Sequence, residues 1–129
     1  MNAPRTLLAF DYGRRRVGVA CGNTLLREAQ PLRTIAAEGS ARFDHIQRLI
    51  KEWQPDALVV GVPFHPDGAE HDITLAARKF ARQLNGRYHL PVHEVDERYS
   101  SVEAERDDPD DLDSAAAAVI LQQFFNELP

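Results

Sequence analysis

The chain has little that would let covalent bonds or a membrane hold it together. It contains a single cysteine, Cys21, in 129 residues, so no disulfide closes within it. A reducing, cytoplasmic compartment is the expectation. No apolar run approaches the roughly 20 residues that span a bilayer, and the apolar part of the N-terminal stretch is too short for a signal peptide. No membrane partner is therefore expected. Repeats, low-complexity tracts and linkers are missing too. Net positive charge is also lacking: the formal charge is −5, which argues against a simple electrostatic binder of nucleic acid.

What is present is a globular composition. Hydrophobic residues make up 43%, and the length suits one domain over residues 1–129, long enough to bury a sizeable core. Charge is unevenly placed. Residues 1–51 hold nine Lys/Arg against four Asp/Glu, a net of +5, and residues 52–129 hold six against sixteen, a net of −10. Such asymmetry fits a basic binding face opposite an acidic, metal-collecting one, and it fits chance patterning of solvated surface equally well.

Hydrophobic periodicity predicts eight elements. Residues 6–10 read as a buried strand stopped by Asp-Tyr-Gly, and residues 17–21 as its hairpin partner, with Gly13 near the bend and Arg14, Arg15 and Arg16 in the turn. A third strand is expected over 31–36. Phe43, Ile46, Leu49, Ile50 and Trp53 keep helical spacing behind Ser40 as N-cap. The unbroken apolar run 57–62 suits a strand covered on both faces. Ile73, Ala76, Ala77, Phe80 and Leu84 mark a second helix ended by Asn85-Gly86, and residues 92–97 a half-polar strand. Ala117, Ile120, Leu121, Phe124 and Leu128 mark the last helix. The order βββαβαβα implies an antiparallel meander followed by parallel additions through helical crossovers. This is an α/β architecture matching the ribonuclease-H-like fold: a mixed five-stranded sheet, order 3-2-1-4-5, flanked by helices.

Ligands in such sheets gather at the carboxyl ends of parallel strands. Asp11 closes the first strand, Asp96-Glu97 the last, and Asp113 opens the final helix. Three converging carboxylates form a hard-oxygen site suited to Mg²⁺ or Mn²⁺, and Asp110, at i, i+3 from Asp113, is an auxiliary candidate. Phosphodiester hydrolysis needs such a site, where bound cations activate a water and neutralise the leaving oxygen. Each acid also has a plain reading: Asp11 as a turn aspartate, Glu97 with Arg98 as a surface ion pair, and the acids from Asp107 to Asp113 as caps and dipole partners, with Pro109 at the first helical position. Gly13 and Gly18 allow close approach of backbone or phosphate, and Gly18 is equally a packing glycine. Arg14 and Arg16 beside Asp11 suit a phosphate clamp or a charged turn. Ser100 and Ser101 suit phosphate oxygens or a helix cap. His65 and His71 flank a loop without metal spacing, and Cys21 reads as a packing residue.

Four segments together resemble the YqgF/RuvX family: LLAFDYGRRRVGVACGN at 7–23, ALVVGVPFHPDG at 57–68, VDERYSS at 95–101 and LDSAAAAVILQQF at 112–124. The resemblance spans nearly the whole chain. It implies the ribonuclease-H-like fold, a divalent-metal nuclease, and processing of the 5′ end of pre-16S rRNA, with the family's acids falling on Asp11, Glu97 and Asp113. An older description of the family as Holliday junction resolvases supplies the alternative substrate, a four-way DNA junction. The partner implied is structured RNA, in association with the ribosome.

Three departures from the family stand out. Only fifteen residues, six of them acidic and two basic, separate Glu97 from Asp113, where the family carries a longer basic stretch. Serines replace the threonines that usually follow the Asp-Glu-Arg motif. The run 57–62 ends in Gly-Val-Pro, where many ribonuclease-H relatives carry an acid, so Glu97 one strand over would have to substitute.

Competing expectations are a junction resolvase, which demands a two-fold dimer, and a non-catalytic nucleic-acid-binding module of the same fold. A sugar-kinase-like or actin-like ATPase also carries an Asp-x-Gly phosphate loop, but those proteins close two such domains around a nucleotide. No dimer face is legible in the sequence, which leaves a monomer or a weak homodimer open.

Overall fold

The computed structural model describes residues 3–64, 67–70, 72–97 and 109–129, and of residues 109–112 the backbone alone. Its elements run β1 (Thr6–Tyr12), β2 (Val17–Asn23), β3 (Gln30–Ile35), α1 (Gly39–Trp53), β4 (Ala57–Val62), α2 (Asp72–Tyr88), β5 (Val92–Asp96) and α3 (Pro109–Asn126). The five strands form one sheet in the order β3-β2-β1-β4-β5. β1 pairs antiparallel with β2, and β2 with β3. β4 pairs parallel with both β1 and β5. Parallel neighbours cannot be joined by a tight turn, so α1 and α2 serve as the crossovers. The predicted order of elements and of strands is the observed one, and the fold is ribonuclease-H-like.

The pleat sorts side chains into two cores. Leu8, Phe10, Val17, Val19, Leu58 and Val60 face α1 and α2 and meet Phe43, Ile46, Leu49, Phe80 and Leu84. Leu7, Ala9, Ala20, Ala57, Val59 and Val95 face the other way, toward Ala117, Ile120, Leu121 and Phe125 of α3. All six β4 residues are buried, as a central strand covered on both faces requires. The α3 side of the sheet is built from smaller residues, which lets that helix lie close.

Three local expectations are corrected. Ser40 does not cap α1. The helix begins one residue earlier at Gly39, whose φ of +60° turns the chain in, and Glu38 holds the cap position without a side-chain cap bond. The second helix does not stop at Asn85-Gly86 but runs to Tyr88. His89, at a φ of 56°, ends it, while the Tyr88 hydroxyl donates to the Phe43 carbonyl (2.9 Å) and the Asn85 amide to that of Leu90 (2.9 Å). These tertiary bonds outweigh the local stop signal. In α3 it is Phe125, 1% exposed, that fills the core. Phe124 lies half-buried against the His93 ring, with centroids 5.0 Å apart. Leu128 lies past the helix end, half-buried against the same core. The expected start at Pro109 is observed, and Asp107 and Asp108 lie outside the described residues.

The two neighbouring phenylalanines should therefore differ. Phe125→Ala empties a filled core position and is expected to cost about 3–5 kcal/mol. Phe124→Ala should cost less than half as much. Urea unfolding of both variants checks this, and equal losses would place Phe124 in the core instead.

Candidate active site

One row across the sheet decides the site. In the strand registers Asp11 of β1 lies opposite Gly18 of β2 on one side and Gly61 of β4 on the other. Asp11 shares its face with Leu7 and Ala9, so it points toward α3. Both glycines belong to that same face. A Cβ on Gly18 would come within 1.8 Å of the Asp113 carbonyl oxygen, so α3 crosses β2 in backbone contact at that point. A Cβ on Gly61 would come within 2.5 Å of Glu97 Oε2 and 2.4 Å of Ile120 Cδ1, so the Glu97 carboxylate occupies the space that a side chain on β4 would take. Two missing side chains thus make room for an acid on either side of Asp11.

Backbone structure holds each acid in place. Asp11 does not close β1 as expected but sits next to last in it, because the strand runs on past Phe10 to Tyr12. Glu97 follows β5, and its N–H donates to the Val62 carbonyl at 3.0 Å, which extends the β4–β5 ladder by one residue. Alternation from Val95 turns Glu97 toward α3, where it is 7% exposed. Asp96, on the opposite parity, is exposed. Asp113 does not open α3 as expected but lies one turn inside it, above Gly18.

Electrostatics tie two of the acids together. The Asp11 carboxyl is pushed up from its ordinary 3.8 to about 7, first by burial and then by the charge of Asp113. Arg16 answers that charge from the hairpin turn, with Nε 3.0 Å from Asp113 Oδ2. Among the described residues no three His, Cys, Asp or Glu side chains close into a metal-holding group. The donor chemistry nonetheless fits a hard divalent cation. Asp11, Glu97 and Asp113 offer only carboxylate oxygens on one side of the sheet, and a cation among them would relieve the repulsion that Asp11 feels from Asp113.

The arginine turn divides between two faces. Arg16 turns to Asp113, whereas Arg14 lines a cavity with Tyr12 and Arg42. Gly13 closes this turn: a Cβ there would come within 2.5 Å of the Arg16 carbonyl oxygen. Arg98, Ser100, Ser101, His65 and His71 lie outside the described residues, as does the side chain of Asp110. Two contributors were not predicted. Gly61 was read only as an absent acid, although a glycine interrupting a valine-rich strand was the available signal. Arg42, buried in α1, carried no sequence signal at all.

Two predictions follow from this geometry. An acid whose folded pKa lies above its unfolded value binds a proton more tightly in the native state, so stability falls as pH rises between the two values. The metal-free protein should therefore lose stability from about pH 4 to about pH 7, and Asp11→Asn should flatten that part of the curve. Thermal melts in EDTA across this range measure it, and an unchanged slope in the variant would remove Asp11 as the cause. The two glycines should also separate. Gly18→Ala drives a methyl into helix backbone and should cost about 3 kcal/mol. Gly61→Ala meets the mobile ends of Glu97 and Ile120 and should cost about 1 kcal/mol, yet reduce the rise in melting temperature given by Mg²⁺. Melts with and without Mg²⁺ distinguish the two, and a full Mg²⁺ response in Gly61→Ala would mean that Glu97 does not need the vacated space.

Comparison with known proteins identifies the family and the fold. The chain is 61% identical over 124 residues to a protein of Albidiferax ferrireducens named "Putative pre-16S rRNA nuclease", covering 96% of this chain and 80% of that one. A Polaromonas protein of the same name is 58% identical over 125 residues, covering 97% and 91%. Among solved structures, T. thermophilus RuvC in complex with a Holliday junction superposes with a TM-score of 0.53 at 15% identity, covering 94% of this chain and 93% of RuvC. Archaeoglobus fulgidus Pelota gives 0.53 at 11% identity, covering 98% of this chain and 34% of that one. These two likenesses concern the fold. Among the described residues no helix is long and apolar enough to cross a membrane. With residues 5–127 matched by the family model described as "RuvX: Holliday junction resolvase", the chain belongs to the RuvX family.

Proposed function

We propose that this chain is a metal-dependent endonuclease that hydrolyses phosphodiester bonds in structured RNA, acting in the cytoplasm on the 5′ end of pre-16S rRNA. The observation that carries the proposal is the row Gly18–Asp11–Gly61, with Asp113 above one glycine and Glu97 above the other. The names of the relatives support the substrate. Residues 1–129 act as one catalytic domain.

Mg²⁺ or Mn²⁺ would be held by Asp11, Glu97 and Asp113, with Asp110 as an auxiliary ligand. The chemistry supplied by such a cation would be Lewis acidity toward a water and toward the scissile phosphate. The chain's own residues do the rest. Asp11, with its carboxyl near pKa 7, must give up a proton to bind a cation, so loading is favoured as pH rises through neutrality. The backbone of Glu97 is tied to the Val62 carbonyl, which sets the residue beside the row. Arg16, half-exposed and paired with Asp113, stands where a guanidinium can meet a phosphate oxygen beside the acids. Gly13 lets the turn close against the Arg16 carbonyl, and Arg98, Ser100 and Ser101, which follow Glu97 in sequence, complete the proposed set of substrate-binding residues.

The family description favours a second reading, cleavage of four-way DNA junctions. One assay separates them. Precursor rRNA and a synthetic junction are each incubated with Mg²⁺ or Mn²⁺ and with wild-type protein, Asp11→Asn, Glu97→Gln and Asp113→Asn. Wild-type protein should cleave the RNA. Each variant should lose on the order of 100-fold or more in rate, and double variants should lose little beyond that, because members of one site act as a unit. Near-normal activity in any single variant would remove that residue from the site. Cleavage of the junction alone would replace the RNA reading with the second one.

A further inference from the structure

On the opposite face of the sheet from Asp11, a cavity of about 290 Å³ opens beside the end of β1, between the start of α1 and the middle of α2. Among the described residues its lining includes Tyr12, Arg14, Arg42, Phe43, Lys79 and Gln83, with three cations and no acid. That is notable in a chain whose formal charge is −5.

The deepest of these cations is Arg42, 5% exposed. Its guanidinium donates to the Ala37 carbonyl at 2.8 Å and the Arg14 carbonyl at 2.9 Å, and lies 5.4 Å from the Tyr12 ring centroid. Among the described residues no carboxylate pairs with it. A buried charge is ordinarily matched by an opposite one, so this wall is electrostatically prepared for an anion. Gly39, which starts α1, also lines the cavity, and the cap residue Glu38 supplies no side-chain bond to that helix start. The helix dipole adds to the same positive field.

We infer that this cavity is a phosphate subsite for the substrate's backbone, flanking the scissile bond on the far side of the sheet edge; the inference rests on the nuclease reading above. Tyr12 follows Asp11 directly in β1 and points to the opposite face. A strand lying across the end of β1 therefore meets the acids first and the cavity next. The ligand is a phosphate rather than a stacked base because the aromatic surfaces are already used. Arg42 covers Tyr12, and Arg87 lies 4.0 Å from the Phe43 centroid. Lys79 and Arg14, both exposed, close on the phosphate, and Arg42 holds Arg14's backbone in place. A subsite of this kind tracks the backbone without reading sequence.

The test measures binding separately from cleavage. Affinity for a single-stranded RNA oligomer is followed against salt with Ca²⁺ in place of Mg²⁺, for wild-type protein, Lys79→Gln, Lys79→Gln/Arg14→Gln, and Lys51→Gln as a control at the far end of α1. Each lost phosphate contact should lower the log–log salt slope by about 0.7 for a single strand. The single variant should thus lose about one such step and the double variant about two, with Lys51→Gln unchanged. The Mg²⁺-induced melting shift should stay at its wild-type value in both variants, because the acids lie on the other face. Wild-type slopes in Lys79→Gln and the double variant would overturn the subsite, as would a wild-type protein that binds no RNA. Adenosine monophosphate binding as tightly as the oligomer would also overturn it, in favour of a free-nucleotide site. A reduced slope in a protein that cleaves neither RNA nor junction would keep the subsite and sink the nuclease reading instead.

Discussion

The close approach of α3 to the sheet is the constraint on which the rest of the site depends. A helix normally stands off a sheet by the length of the side chains between them. Here Gly18 has none, and the Asp113 carbonyl sits where its Cβ would be. That contact brings a helix carboxylate down to the level of a strand carboxylate, Asp11, whose pKa is raised first by its burial and then by the Asp113 charge. Gly61 repeats the device on the other flank, where Glu97 fills the vacated space. The small residues Ala9, Ala20 and Ala57 on the same face continue the close packing down the helix. A larger side chain at either glycine would push apart groups that must converge.

Gathering acids in this way raises the energy of the metal-free protein, since like charges in a partly desolvated place repel one another. The fold offsets the repulsion with the large apolar burial on both faces of β1 and β4 and with Arg16 set against Asp113. Such stored repulsion is typical of sites built for a ligand rather than for stability. The chain as a whole carries a formal charge of −5. The positive charge of its first 51 residues is not spread evenly. Arg16 is placed beside the acids, and Arg14 and Arg42 are placed at the cavity across the sheet.

Much of this was legible in the sequence. The alternation of residues 6–10 and 17–21, the valine run of 57–62 and the helical stripes gave the element order and, with the crossover rule, the strand order. Asp11, Glu97 and Asp113 stood out because acids at strand ends and near helix starts are local features. Less legible were element ends. Asn85-Gly86 is a strong local stop, yet α2 passes through it because Tyr88 is tied to Phe43 across the core. Phe124 and Phe125 are adjacent and equally apolar. Only the rotation of α3 on the sheet selects Phe125 for burial.

What the sequence determined by itself is therefore the set of elements, their order, and the three acids on them, because periodicity and local chemistry act over a few residues. Tertiary structure decided the relations among those parts: that Asp11 lies in register between Gly18 and Gly61, that a glycine on β4 makes room for an acid from β5, and that Arg14 and Arg16, two residues apart, serve opposite faces. Strand register and helix rotation are set by the packing of whole faces against one another. No window of sequence contains both partners of those contacts.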